Sequence, residues 1–240
     1  MAKPKHMQSD SDRDDNVSSG QQLTEIYRFL FDHYGPQHWW PADSPFEVIV
    51  GAILTQSTSW ANVEKAIMSL KRADALSPAS LRELPLDRLA ALIRPSGYYN
   101  AKAAKLKSFV EYLGEAHQDS LEKLFSLDVE HLHSELLAIH GIGPETADAI
   151  ILYAARKPVF VIDAYTIRIL SRLGIGTPNN DYSAFQTLFA ENLPAEERLF
   201  NEFHALLVRH GKEVCKRNPL CDQCCLRGTI VECRLHSYEI

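Results

Sequence analysis

The feature that most constrains this chain is a short break between two apolar helical stretches: Leu136-Leu137-Ala138-Ile139-His140-Gly141-Ile142-Gly143-Pro144-Glu145-Thr146-Ala147-Asp148-Ala149-Ile150. One helix stops at Gly-Ile-Gly. The next starts with Pro144 in its first turn, where no amide hydrogen is needed. Gly141 and Gly143 allow a tight hairpin and let a partner come close to the backbone. The second helix then offers free N–H groups and the positive end of its dipole, a setting suited to a phosphate. A plain helix–helix connection is the bland alternative. The length of the pattern, with Ala147 and Ala154 small enough for close packing, favours the hairpin.

The rest of the chain is also helical in rhythm. Leu23, Ile26, Tyr27 and Leu30 recur at helical spacing, as do Val48, Ile49, Ala52 and Ile53. Further helices are expected near 61–71, 78–83, 86–93, 100–114, 120–126, 131–139, 145–156, 164–173, 183–191 and 196–210. Pro and Gly punctuate between them. The one β-like run is Val159 to Ile162. The expected class is all-α. Residues 1–20 are polar and acidic and read as a disordered tail. The 240 residues suit one large or two small domains. The longest apolar runs, Val48–Leu54 and Ala149–Ala155, are seven residues each, too short for a membrane helix. The N-terminus has no apolar core, so no secretory signal is expected.

With 25 basic and 31 acidic residues the net charge is −6, which argues against a generic nucleic-acid binder. The sum hides an asymmetry. Arg94, Lys102, Lys105 and Lys107 form an acid-free basic run, whereas Glu111 to Asp148 holds nine acids and one base. A local basic face is therefore allowed. All five cysteines lie between Cys215 and Cys233. A chain without a secretion signal is expected in a reducing compartment, so they read as a metal or cluster site. Leaving out Cys225, the spacing is C-x5-C-x2-C-x8-C. Four thiolates around one loop can hold a [4Fe–4S] cluster or a zinc ion. Zinc ribbons more often show two C-x2-C knuckles, and here there is one.

Two further patterns carry chemistry. In Val159-Phe160-Val161-Ile162-Asp163-Ala164-Tyr165-Thr166, Asp163 is well placed to cap the helix that ends near Gly174. All three tryptophans, Trp39, Trp40 and Trp60, fall within 22 residues around the polar run Thr55-Gln56-Ser57-Thr58-Ser59. A buried polar patch in an aromatic core is the simple reading of that region.

Taken together, these stretches resemble the endonuclease III superfamily of helix-hairpin-helix DNA glycosylases, and most closely its 3-methyladenine DNA glycosylase branch. The matching pieces are His38-Trp39-Trp40-Pro41, Leu54 to Ala66, Pro95 to Ala103 and Gly143 to Asp148. The resemblance runs over about residues 23–235. It implies that the hairpin, about 131–156, grips a DNA phosphate through backbone amides, with Gly141, Gly143, Glu145, Thr146 and Lys212 at the DNA. Such a grip needs few basic side chains. Asp163 is then the catalytic carboxylate: helix N–H groups keep it ionised, and it stabilises an oxocarbenium-like sugar or orients a water at C1′. Gln56 enters the gap left by a flipped base. Trp39 and Trp60, with Trp40, wall the base pocket.

The resemblance has a coherent chemistry. An N3- or N7-methylated purine is cationic, and an indole face attracts a desolvated cation by about 2 kcal/mol. The charged base is a good leaving group, so it needs no strong acid. It must first leave the duplex, at a cost of a few kcal/mol. Bifunctional members carry a lysine where this chain has Glu145, and a carboxylate cannot form a Schiff base. The expected enzyme is therefore monofunctional, leaving an intact abasic strand. Its rivals are an endonuclease III-like glycosylase and abasic lyase for damaged pyrimidines, and a non-catalytic binder of DNA structures.

The resemblance also implies a [4Fe–4S] cluster on Cys215, Cys221, Cys224 and Cys233, in preference to zinc. The family spacing is commonly C-x6-C-x2-C-x5-C, so two gaps differ and Cys225 is extra. Such a cluster would shape a basic loop of Lys212, Lys216, Arg217, Arg227 and Arg234. Lys212 itself reads either as facing the active site or as a solvated phosphate contact. His140 and His204 read as packing or hydrogen-bonding residues. The implied layout is two helical domains flanking a DNA-binding cleft: a six-helix barrel over 45–156, and a second domain of 21–44 with 157–240. A cytoplasmic, nucleoid-associated monomer acting on double-stranded DNA with damaged bases, away from membranes, is expected.

Overall fold

The structure, a computed structural model, describes residues 18–176, 181–229 and 233. Helix α1 (Ser19–Tyr34) opens on a capping box. The Ser18 hydroxyl accepts from the Gln21 N–H, and the Gln21 side chain accepts from the Ser18 N–H, pairing two donors that a helix start leaves free. Ser19 and Gly20, expected in the tail, are helical because that cap sets the start. Residues 1–17 of the expected tail lie outside the described residues. Leu23, Ile26 and Leu30 are buried, as their spacing predicts.

Helix α2 (Pro45–Leu54) is capped by Ser44, and every residue after Pro45 is buried. A helix apolar on nearly every side belongs at a core, and α2, polar only at Glu47, packs against α3 (Trp60–Arg72), α6 (Tyr99–His117), α9 (Pro144–Ala149) and a π turn over Ile150–Ala154. Burial of each Ile or Leu there is worth about 1.5–3 kcal/mol; a charge at Ile53 would break the layer. Helices α4 (Pro78–Glu83) and α5 (Leu86–Leu92) pack on α6. Helices α7 (Leu121–Phe125) and α8 (Val129–Ala138) follow, capped by Ser120 and Asp128. In the span expected as a six-helix barrel, α4, α5, α7 and α9 have at most seven residues each. The helix expected over 145–156 is α-helical only to Ala149. It then widens, with the Ala155 N–H on the Ile150 carbonyl at 3.0 Å.

Helices α10 (Ala164–Arg172), α11 (Tyr182–Asn192) and α12 (Glu197–Glu213) complete the set. Helix α1 packs on α11 and α12, and α12 also touches the π turn. Helices α1, α11 and α12 thus share one group, and Tyr153 of the π turn faces α12. The β-like run Val159–Ile162 forms no strand. A lone extended segment has no ladder partner, and its side chains go into the core instead, Phe160 stacking on Phe189 with centroids 3.5 Å apart. Among the described residues the molecule is all-α.

The basic run is divided: Arg94 is exposed, whereas Lys102 and Lys107 turn to backbone carbonyls. Lys102 is buried, with its ammonium donating to the Leu54 carbonyl at 2.9 Å and the Ser96 carbonyl at 2.6 Å. Lys107 donates to the Arg82 carbonyl at 2.7 Å. These bases serve backbone carbonyls, Leu54 being the end of α2. Burial, then the Lys105 charge, draws the Lys102 ammonium down to about 8.

Candidate active site

The polar run Thr55–Ser59 is not helical. It turns between α2 and α3, with Ser57 at φ 54°. Gln56 reaches from this turn to the hairpin. Its Nε2 donates to the Gly141 carbonyl at 3.2 Å and to Thr146 Oγ1 at 2.9 Å, and the Lys105 ammonium donates to its Oε1. Gly141 has φ +84°, and a Cβ there would stand 2.3 Å from the Lys105 stem. That position requires glycine. Gly143, the N-cap of α9, faces open space and has no side-chain cap. The hairpin thus closes on the protein at Gly141 and opens to solvent at Gly143. Tyr98, at 75 % exposure and φ 44°, is the N-cap of α6.

Asp163 caps α10: its Oδ1 accepts from the Thr166 N–H at 2.7 Å. The residue is 9 % exposed. Burial pushes its carboxyl up, but His204 and the Thr166 N–H more than offset this and hold it below the usual carboxylate range. His204 lies on α12 with Nε2 3.7 Å from Asp163 Oδ2. Its Nδ1 is 2.5 Å from the Tyr153 hydroxyl. The Tyr153 ring packs on Trp40, centroids 5.2 Å apart, and Trp40 meets Trp39 at 5.0 Å and Trp60 at 5.2 Å. A continuous path of contacts therefore joins the three tryptophans to Asp163. The expected cavity between indoles is closed in this arrangement. Trp39 and Trp60 sit edge to face at 4.7 Å, a packing in which apolar rings bury each other's surface.

Glu145 is exposed at the start of α9. Its protein surroundings, then the Asp163 charge, push its carboxyl up. His140 is exposed, whereas His204 is buried and hydrogen-bonded. Lys212 is exposed, near the Tyr165 ring at 6.0 Å.

The cysteines are all free thiols. Cys221 feels Cys233 and Cys215, and Cys224 feels Cys215, Cys233 and Cys221. Cys225 feels Cys224 alone among them, and burial pushes its thiol to about 11. Cys215, Cys221, Cys224 and Cys233 therefore form one electrostatic group, with Cys225 to the side. Arg172 donates to Cys215 Sγ at 3.2 Å. Soft thiol donors of this kind, with the Arg172 guanidinium on one of them, have the chemistry an iron–sulfur group takes. Among the described residues no three ligand side chains converge as on a single ion. Lys216, Arg217 and Arg227 are exposed on the loop, Arg227 paired with Asp222 at 2.7 Å. Arg234 lies outside the described residues.

A hairpin open at a helix start stands beside a buried carboxylate and an aromatic cluster in a helix-hairpin-helix protein. Residues 50–195 match the model of the HhH-GPD superfamily of base excision DNA repair proteins, and the chain belongs to that family: it is a DNA glycosylase. It is 44 % identical over 206 residues to a Methanocaldococcus jannaschii protein provisionally designated a DNA repair glycosylase, covering 85 % of this chain and 93 % of that one. It is 31 % identical over 214 residues to endonuclease III of Thermotoga maritima, covering 86 % and 91 %. Among solved structures, the H. pylori 3-methyladenine DNA glycosylase bound to 1,N6-ethenoadenine matches with TM-score 0.71 and 30 % identity, covering 82 % and 98 %.

Sequence reasoning missed Tyr153, the approach of His204 to Asp163, and the anchoring of Gln56 by Lys105. Tyr153 and His204 are 51 positions apart, and neither carries a local signal.

Proposed function

We propose that this glycosylase is monofunctional and hydrolyses the N-glycosidic bond of alkylated purines of the 3-methyladenine type. One observation carries the reading: the indoles of Trp39, Trp40 and Trp60 touch one another and reach, through the Tyr153 ring, the imidazole beside Asp163. Indole faces attract a cationic base and offer a neutral one less. The base enters as Trp60 turns outward. Trp60 is half-buried and bonds through its indole N–H to the exposed Glu64 at 2.8 Å.

The steps follow from this chain's residues. The hairpin at Gly141, Gly143 and Thr146 and the exposed Lys212 hold the backbone phosphates. Gln56 leaves the hairpin and fills the gap in the duplex. The C1′–N bond breaks with its electron pair going to the base, which departs neutral. Asp163 stabilises the positive charge on the sugar and orients the water whose oxygen bonds to C1′. The water's proton passes to Asp163 or to solvent. Glu145 forms no Schiff base, so the strand stays whole. Cys215, Cys221, Cys224 and Cys233 would hold a [4Fe–4S] cluster, which would shape the basic loop for phosphate contact and take no part in hydrolysis. The enzyme works as a cytoplasmic, nucleoid-associated monomer.

Borohydride trapping separates this reading from the endonuclease III-like alternative. With duplexes carrying either a methylated purine or an oxidised pyrimidine, we expect released methylpurine and no covalent adduct. An enzyme–DNA adduct, or preference for the pyrimidine lesion, would overturn it.

A further inference from the structure

The Tyr153–His204 pair does more than fill the core. Tyr153 and His204 are each 7 % exposed. Burial, then the Asp163 charge, keeps the Tyr153 phenol protonated, and its O–H has His204 Nδ1 within reach as an acceptor. A neutral ring accepting at Nδ1 carries its one proton on Nε2. That Nε2–H is buried, has no hydrogen-bond partner, and lies 3.7 Å from Asp163 Oδ2. An unpaired buried donor is costly, on the order of 1–3 kcal/mol. Less than 1 Å of movement would pair it, a shift of the size by which apo active sites tighten on binding. The other carboxylate oxygen is already fixed by the Thr166 N–H. The trigger is in contact as well. Trp40 lies on Tyr153, and its indole occupies the space over Gly51, 3.0 Å from where a Cβ would stand. A base entering the indole cluster presses on the same ring.

Building on the reading of Asp163 as the catalytic carboxylate, we propose that Tyr153 and His204 are positioning residues: the phenol sets the imidazole tautomer, and Nε2–H closes onto Asp163 Oδ2 when a base fills the indole cluster. No proton is transferred in this step; the bond orients the anion toward C1′. Glu145 of α9 and Glu197 and Glu202 of α12 are the other charged groups that act on Asp163 or Tyr153 among the described residues. All three are acids, so His204, together with the Thr166 N–H, is what favours the anion.

Two substitutions separate this role from simple packing. The amide nitrogen of H204Q reaches about as far as Nε2, whereas the amide of H204N reaches only as far as Nδ1 and still accepts from Tyr153. Single-turnover release of methylpurine from dimethyl-sulfate-treated duplex would be measured from pH 5 to 9, with melting temperature and binding to an abasic-analogue duplex as controls. We expect H204N to fold, to bind the analogue normally, and to lose about tenfold or more in rate, its acid limb moving up by about one pH unit. H204Q should recover most of the rate and the wild-type limb, and Y153F should lie between. Wild-type behaviour of H204N, or equal loss in H204N and H204Q, would overturn the proposal. D163N is measured alongside: full activity there defeats the reading of Asp163 itself, whereas an inactive D163N with a normal H204N defeats the positioning role alone.

Discussion

Two helix starts lie close enough for Glu145 to feel the charge of Asp163, and they are finished in opposite ways. Helix α9 begins at Gly143, exposed and without a side-chain cap. Helix α10 begins at Asp163, buried, its carboxylate on the Thr166 N–H. Both present the positive end of a dipole. One leaves that end to solvent and to whatever anion arrives. The other spends it on the protein's own anion and so keeps a carboxylate ionised away from water. The contrast supports the proposed division, binding at the first start and chemistry at the second, and the residues responsible, Gly-Pro against Asp, are local.

The harshest way to break this comparison is Asp163→Asn. Asparagine caps a helix about as well as aspartate, so stability should change by about 0.5 kcal/mol or less. Base release should fall about 10²–10³-fold, as for loss of a transition-state charge partner. Single-turnover assays paired with thermal melts read both.

Lys102→Met extends the comparison to the far end of a helix, where α2 is held by a buried ammonium. The change strands the Leu54 and Ser96 carbonyls and should cost about 2–3 kcal/mol in urea unfolding.

Asp148 probes the interior of the same α9. It is fully buried and accepts from Tyr182 and from Gln186, with His133 3.2 Å away. Burial outweighs those partners and lifts its carboxyl to about 6. The folded protein then holds this proton more tightly than the unfolded chain. Stability should therefore fall as pH rises from about 4 to about 6, by on the order of 3 kcal/mol. Asp148→Asn should flatten that slope.

The mildest pair sharpens the contrast within the hairpin. Gly141→Ala forces a Cβ at φ +84° into the Lys105 stem and should cost about 1–2 kcal/mol. Gly143→Ala meets nothing and should shift stability by only a few tenths of a kcal/mol, while weakening DNA binding in a fluorescence titration.

What could be read in advance was what is local. The hairpin, the Asp163 cap and the thiol set each announce themselves within about 20 residues, through glycine φ freedom, side-chain capping and ligand spacing. Lys102 could not be read, because a lysine in a basic run is exposed by default and only the tertiary fold supplies the two carbonyls that bury it. Tyr153 and His204 meet because α12 crosses a π turn, a widening that no periodicity marks. The tryptophans were legible as a group. Their closed packing was not, since it depends on what fills the space between them.

The central claim is that a buried anion at the start of α10, served by an indole cluster, releases a cationic base and leaves the strand whole. The most direct measurement is release of methylpurine from dimethyl-sulfate-treated duplex by wild type and Asp163→Asn, with base identified chromatographically and strand length read on a denaturing gel. The account predicts free 3-methyladenine and an unbroken strand from the wild type, and almost none from Asp163→Asn. Undiminished release by Asp163→Asn, or a nicked strand from the wild type, would contradict it.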